Sequence, residues 1–101
     1  MYYIYILHSI SSDKYYVGYT KDYLKRLTDH NHQAYFNTFT SKHRPWILKA
    51  VFQTGDSESN AIQIERFIKR QKSRVLIEKM LAEEKFDGVL AQLVRVPHVR
   101  D

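Results

Sequence analysis

The sequence contains no cysteine among its 101 residues. This absence excludes disulfide bridges, thiolate catalysis and zinc sites that use cysteine ligands. Long apolar runs are missing as well, because the apolar start at residues 1–7 gives way to a polar segment at 8–13. We therefore expect neither a signal peptide nor a membrane span, and we expect an intracellular protein located in the cytoplasm.

Several patterns that carry enzymatic chemistry are also lacking. The chain has no Gly-rich phosphate loop, no Ser-His-Asp arrangement and no dinucleotide fingerprint. His30, His32 and His43 do not have the spacing of a zinc site. There is no internal repeat, low-complexity run or interdomain linker, so we expect one domain over residues 1–101.

Glutamate is absent before Glu58, and charge is unevenly distributed along the chain. Residues 1–55 hold 7 basic and 3 acidic side chains, whereas residues 56–101 hold 9 and 8. All 8 tyrosines lie within residues 1–35. A basic and aromatic half is typical of a nucleic-acid-binding surface, because phosphates attract cations and bases stack on rings. The alternative is that the charge of +5 serves solubility and that the tyrosines belong to β-strands.

The order of the apolar patterns predicts an α+β domain. β-Branched and aromatic residues predict an antiparallel hairpin of two strands and one later strand, at residues 2–7, 14–20 and 46–54. Helical periodicity predicts three helices, at residues 22–31, at 57–71 and from near Ser73. The resulting order β-β-α-β-α-α describes a small three-stranded antiparallel sheet flanked by helices.

The same patterns assign faces and connections. One side of the third strand is predicted to carry Trp46, Leu48, Ala50 and Phe52. One face of the first helix is predicted to carry Leu24, Leu27 and Asn31. A long loop is expected at residues 31–44, a short helix or strand at 86–95, and a tail packed on the domain at Pro97 and 99–101. Gly18, late in the second strand, indicates either a bulge or a close approach to the backbone.

Arg26 and His30 are four residues apart on the first predicted helix, so both side chains leave one face. Such a pair usually belongs to a solvated helix face. Here the helix directly follows the tyrosine-bearing strands, so a short connection can place both side chains near Tyr5 and Tyr16.

Two tripeptides precede this pair: Tyr3-Ile4-Tyr5 and Tyr16-Val17-Gly18, with ten residues between them. Arg26 follows Gly18 by eight residues, His30 follows Arg26 by four, and Glu65 lies on a later helix. With these motifs in this order, the sequence resembles the GIY-YIG nucleases, and in particular their small, single-domain, stand-alone bacterial branch. The resemblance covers about residues 2–83 and leaves 84–101 as a C-terminal extension.

The resemblance implies a metal-dependent endonuclease that hydrolyses DNA phosphodiester bonds. It implies five catalytic residues, namely Tyr5, Tyr16, Arg26, His30 and Glu65. Glu65 would be the only protein ligand of one Mg²⁺ or Mn²⁺ ion, bound weakly without substrate, since Mg²⁺ often takes one or two carboxylates plus phosphate and water. Arg26 suits the phosphate because its guanidinium donates paired hydrogen bonds.

The roles of the remaining site residues stay open. Either tyrosine could orient or deprotonate water, and His30 could accept a proton or hydrogen-bond a tyrosine hydroxyl. Taken singly, each tyrosine could also be an ordinary strand residue, and Glu65 could simply pair with Lys69 one helical turn away.

The chain departs from the family pattern in two places. The first tripeptide begins with Tyr3 instead of glycine, and no asparagine follows Asn60, where larger members often carry one after the glutamate. A second hypothesis is therefore a nucleic-acid-binding module of the same fold with little or no turnover. A third, a protein-interaction domain, would leave the order of the motifs unexplained.

Basic side chains around the motifs are candidates for nucleic-acid contacts. They are Lys14, Lys25, Lys42, Arg44, Lys69, Arg70, Lys72 and Arg74. The run from Arg66 to Arg74 could also be a solvated helix face. No base-reading helix is evident, so we expect selection of DNA structure rather than sequence, in DNA repair or processing, with RNA as an alternative substrate and the oligomeric state open.

Overall fold

The computed structural model describes residues 1–83 and 85–97. Within them the elements follow in the order β1 (Tyr2–Ser9), β2 (Lys14–Thr20), α1 (Tyr23–His32), α2 (Thr38–Ser41), β3 (Trp46–Gly55), α3 (Glu58–Gln71), α4 (Arg74–Ala82), a 3₁₀ turn (Gly88–Leu90) and β4 (Val94–Arg95). Among these residues no helix is both long enough and apolar enough to cross a bilayer. The expected tail at 99–101 lies outside the described residues.

The four strands form one antiparallel sheet in the order β2-β1-β3-β4. The predicted α+β class is confirmed, but the predicted number of three strands is wrong. The additional strand, β4, pairs with Phe52 and Gln53 of β3. A strand of two residues has no periodicity to detect, and the preceding 3₁₀ turn gives the segment at 86–95 a mixed pattern.

The central strand β1 is buried on both faces of the sheet. Ile4 and Ile6 pack with α3 and α4, whereas Tyr5 and Leu7 pack with α1 on the opposite face. All four side chains are buried, which explains why this strand is apolar throughout instead of alternating. The sheet is therefore the middle layer of three, with helices above and below it.

A β-bulge in β3 changes which side chains share a face. Ile6 pairs with Ala50 and Leu7 with Leu48, so Lys49 is the extra residue. Trp46 and Leu48 consequently pack with Tyr5, whereas Ala50 and Phe52 pack with Ile4 on the other face. The prediction that these four residues share one side is wrong because the bulge inverts the alternation.

Helix α1 begins after Asp22, whose carboxylate accepts a hydrogen bond from the Lys25 backbone amide. Its buried face carries Tyr23, Leu27 and His30. Leu24, predicted to share a face with Leu27, is 63% exposed, whereas Leu27 packs against the sheet. Leu24 and Leu27 are three positions apart and could share a face. The side chains of α1 that contact the sheet are instead those at positions 23, 27 and 30.

Asn31 fixes the C-terminal end of α1 to the start of β3. Its side-chain amide donates to the Trp46 carbonyl at 2.9 Å, and its Oδ1 accepts from the Trp46 backbone amide at 2.6 Å. The connection between them, expected as a loop, contains the short helix α2, capped by Asn37. A helix of four residues is too short to show a period.

We expect Asn31→Ala to lower the free energy of unfolding by about 2–3 kcal/mol, because both backbone groups of Trp46 lose their partner. Urea unfolding measures the effect. His32→Ala, one position along on an exposed side chain, is the matched control and is expected within about 0.5 kcal/mol of the unsubstituted chain. Equal stability of the two variants would contradict the assigned role of Asn31.

Candidate active site

A cleft of about 750 Å³ lies at the β2 edge of the sheet, between α1 on one face and α3 on the other. All five predicted catalytic residues line this cleft, namely Tyr5, Tyr16, Arg26, His30 and Glu65. The two tyrosines come from the hairpin, Arg26 and His30 from α1, and Glu65 from α3. The edge strand therefore brings together side chains from both helical layers.

Tyr5 lies directly across Gly18 in the hairpin. A Cβ atom at position 18 would come within 2.3 Å of the Tyr5 hydroxyl oxygen and 2.4 Å of its ring carbon. The register between β1 and β2 is continuous, so Gly18 marks a close approach and not a bulge. Glycine is required here because the Tyr5 ring occupies the space of a side chain.

A chain of buried hydrogen bonds runs from Tyr5 into α2. The Tyr5 hydroxyl lies 2.9 Å from His30 Nε2, and His30 Nδ1 lies 2.9 Å from Thr40 Oγ1. Thr40 donates in turn to the Asn37 carbonyl at 3.5 Å. A neutral imidazole has one donor and one acceptor nitrogen, so every group is satisfied when Tyr5 donates to Nε2 and Nδ1–H donates to Thr40.

Burial keeps both ring systems in their neutral forms. The pKa of His30 is lowered from 6.5 to about 4, mainly by burial and next by the positive charge of Arg26. The pKa of Tyr5 is raised well above its usual range, mainly by burial and next by the neighbouring Tyr16. The charge of Arg26 opposes this second shift. Tyr5 is thus poorly suited to lose a proton, and its buried hydroxyl holds His30 in place.

Tyr16 has a different environment, half-buried at the border of the cleft. Its hydroxyl accepts a hydrogen bond from the Asn37 side-chain amide at 3.3 Å. The Lys69 ammonium lies 4.8 Å from its ring centroid, and His30 packs against the ring on the same side of the sheet as α1. A neighbouring cation stabilises negative charge that develops on a phenol oxygen.

Arg26 is held from two directions while its side chain stays 39% exposed. Asp29 accepts a hydrogen bond from Nη1 at 3.2 Å, and the guanidinium carbon lies 5.3 Å from the Phe36 ring centroid. A guanidinium has five N–H donors, so several remain for a substrate phosphate.

Glu65 is the acidic group at the α3 wall, with a side chain 17% exposed. Its Oε1 lies 3.4 Å from the Lys69 ammonium, so the expected pairing at i,i+4 is present. Among the residues that the structure describes, no group of three or more His, Asp or Glu side chains could hold a metal ion. One carboxylate in an open cleft fits a hard cation that keeps water or phosphate as its other ligands.

The predicted nucleic-acid-binding cations do not all lie together. Lys25 lines the cleft and pairs with Asp29 at 3.2 Å. A neighbouring groove is lined by Lys14, Lys69, Lys72 and Arg74. Lys42, Arg44 and Arg70 are among the lining residues of neither.

Arg44 has a structural role in addition to any contact with a substrate. Its Nε donates to the His30 carbonyl at 2.6 Å, and a terminal nitrogen donates to the Gln33 carbonyl at 2.7 Å. These bonds satisfy carbonyls at the C-terminal end of α1, which have no partner within the helix. Arg44 therefore holds the helix that carries Arg26 and His30.

Three residues of the site were not predicted from the sequence. Asn37, Thr40 and Phe36 hold Tyr16, His30 and Arg26, respectively. Only Asn37 had a detectable signal, since asparagine favours the residue before a helix. The other two lie in a segment without periodicity, and their contacts depend on how it folds back onto α1.

Comparison with protein families identifies the arrangement. A model of the GIY-YIG catalytic domain matches residues 1–80, which is most of the chain. No curated protein matches the chain. The chain therefore belongs to the GIY-YIG family, a family of nucleases, and the resemblance inferred from the two tripeptides is confirmed.

The burial of His30 predicts how stability depends on pH. The pKa of His30 is about 4 in the folded chain against 6.5 for an exposed histidine. Below 6.5 the unfolded chain binds a proton that the folded chain refuses, so stability falls as pH decreases from 6.5 towards 4. At about pH 5 this group should lower the free energy of unfolding by about 2 kcal/mol relative to neutral pH.

Urea unfolding of the wild type and of His30→Gln, at neutral pH and at about pH 5, isolates this contribution. The variant is expected to lose most of this part of the pH dependence, whereas His32→Gln, on an exposed side chain, should retain it. An unchanged pH dependence in His30→Gln would show that another group causes it.

Proposed function

We propose that this chain is an endonuclease that hydrolyses DNA phosphodiester bonds with the help of one divalent cation, Mg²⁺ or Mn²⁺. The observation that carries the proposal is the arrangement of the cleft, where the tyrosines, arginine, histidine and glutamate of the family motifs line one space. Phosphodiester hydrolysis needs an oriented water, compensation of charge on the phosphoryl group and assistance to the leaving oxygen.

Arg26 is the proposed phosphate ligand. Asp29 and Phe36 hold the guanidinium at the cleft, so its remaining donors are oriented before the substrate binds. Such preorganised donors stabilise the additional negative charge of the transition state without further reorganisation. A lysine at position 26 would keep the positive charge but could not donate the two parallel hydrogen bonds of a guanidinium.

Tyr16 is the proposed residue that orients the attacking water and accepts its proton. Because its hydroxyl oxygen accepts from Asn37, its own hydrogen points into the cleft. That proton would leave to solvent first, and the resulting phenolate oxygen would then accept the proton of the attacking water. Lys69 beside the ring supports negative charge on the oxygen. Tyr5 and His30 are proposed as positioning residues, since their polar atoms are directed at each other and at Thr40.

Glu65 is the proposed ligand of the cation. A divalent ion bound there would supply charge for the phosphoryl oxygens and assistance to the leaving oxygen. With one protein carboxylate, affinity is low until the phosphate adds its oxygens. The Lys69 ammonium, 3.4 Å from Oε1, pairs with this carboxylate before the cation binds.

DNA structure, rather than sequence, is the proposed basis of substrate choice, because contacts to phosphate position a protein without reading bases. A role in DNA repair or processing and a cytoplasmic location complete the proposal.

The second candidate function is a nucleic-acid-binding module with little turnover. The specific observation in its favour is that no asparagine follows Asn60, where larger relatives often have one.

Glu65→Gln separates the two candidates. We expect it to reduce metal-dependent nicking of supercoiled plasmid by at least about a hundredfold, because the amide removes the anionic ligand while preserving shape. Glu83→Gln, which changes an exposed glutamate outside the cleft, is the control and should nick at the rate of the wild type. Activity that survives chelator, or that is equal in both variants, would overturn the enzymatic proposal.

The two tyrosines should respond differently to loss of the hydroxyl. Tyr16→Phe should lower kcat by about 10²–10⁴, the usual contribution of acid–base catalysis. Tyr5→Phe should lower stability by about 1 kcal/mol, because His30 loses a partner, and should lower kcat much less than Tyr16→Phe does. Plasmid nicking, with urea unfolding beside it, measures both effects, and the reverse pattern would exchange the two roles.

A further inference from the structure

A second concave surface lies beside the cleft and is not used in the proposed reaction. This groove has a volume of about 800 Å³. Tyr16 lines both spaces, and Lys69 lines the groove while its ammonium pairs with Glu65 of the cleft. The groove therefore adjoins the cleft in which the scissile phosphate would lie.

The walls of the groove are apolar. Val17 of β2, Ile68 of α3 and Ile77 of α4 contribute to its lining. Phe39 closes one side. The residue is 41% exposed, although its ring also packs on Tyr16, His43 and Trp46, with centroids 6.3, 4.9 and 6.1 Å apart. An aromatic residue that keeps this much exposure is suited to stacking a flat ligand.

The rim of the groove is cationic. Lys14, Lys69 and Lys72 are exposed there, together with Arg74. Asp13 is the acidic residue among the described lining residues, and two nitrogens of Arg74 donate to its backbone and carboxylate oxygens, each at 2.8 Å. The lysines therefore leave a net positive charge around an apolar, aromatic-walled space.

We propose that this groove binds an unpaired nucleotide of the DNA strand next to the scissile phosphate. The base would stack on Phe39, and the flanking phosphates would contact Lys14 and Lys72. A nucleotide combines a flat base with a negatively charged phosphate. The base matches the apolar, aromatic wall of the groove, and the phosphate matches its cationic rim. Pockets of about 300–1,000 Å³ hold single small ligands, so the space suits one or two nucleotides and not a duplex. The inference rests on the proposed nuclease function, because that function supplies the DNA strand in the adjoining cleft.

The test measures binding without cleavage, in chelator and in the Glu65→Gln background. Fluorescence anisotropy compares a labelled oligothymidine of about eight nucleotides with a blunt duplex of the same length.

Three variants are compared in this assay. Phe39→Leu keeps an apolar side chain against Tyr16 but removes the stacking ring. The double variant Lys14→Gln/Lys72→Asn removes two rim charges, and asparagine tolerates the left-handed backbone of position 72, where φ is 46°. Arg66→Gln/Lys79→Gln, two exposed cations outside the groove, is the matched control.

We expect Phe39→Leu to lower the ratio of single-strand to duplex affinity by about tenfold. The lysine double variant should reduce the salt dependence of single-strand binding, as a slope in log K against log salt, by about 1.4. The control variant should change this slope by less than half as much. A ratio unchanged in Phe39→Leu, or equal slopes in the two double variants, would overturn the groove assignment.

The two proposals fail separately. If plasmid nicking is absent but the affinity ratio still depends on Phe39, the nuclease function fails and the groove remains a single-strand site. If Glu65-dependent nicking is present but the ratio does not depend on Phe39, the groove assignment fails and the nuclease function stands. Urea midpoints of all variants, compared with the wild type, show that any change in binding comes from a folded chain.

Discussion

The contact between the Tyr5 ring and the backbone of Gly18 is the constraint on which the site depends. Because the ring fills the space of a side chain at position 18, its hydroxyl is carried into the interior. A buried hydroxyl needs a partner, and His30 provides it. The imidazole needs a second partner, which is Thr40, and Thr40 lies on the short helix whose capping residue, Asn37, holds Tyr16. One cross-strand contact is thus linked to the edge tyrosine through four hydrogen-bonded steps.

The location of the cleft follows from the layering of the fold. A sheet covered on both faces leaves only its edges for a site that combines residues from the two helical layers. At the β2 edge, α1 contributes the cation and the histidine, and α3 contributes the carboxylate. The opposite edge is occupied by β4 and the residues after α4. The candidate site therefore lies where the layers meet. Lys69 of α3 is at this junction, where its ammonium contacts Glu65 of the same helix and the ring of Tyr16 on the edge strand.

The parts of the structure that sequence reasoning predicted are those with local physical signals. The hairpin and the three longer helices follow from the apolar periodicity of the sequence. The face of β3 was wrong because a bulge at Lys49 depends on pairing with a distant strand. Leu24 and Leu27 were predicted to share a face, but only Leu27 packs on the sheet, because helical spacing is compatible with two rows and the tertiary contact chooses between them. The resemblance to the GIY-YIG family implied the five residues that meet in the cleft, whereas Thr40 and Phe36 belong to a segment whose position is set by side-chain contacts from other elements.

The edge strand β2 has a consequence for the behaviour of the chain in solution. An uncovered strand edge presents unpaired amides and carbonyls and so invites a strand of another molecule, which leads to aggregation. Here the lysines at the rim of the groove and the walls formed by Phe39 and the α3–α4 junction crowd that edge. A second copy approaching to extend the sheet would meet like charge. The same lysines that would contact a phosphate backbone therefore also disfavour pairing of this edge with a strand of another chain.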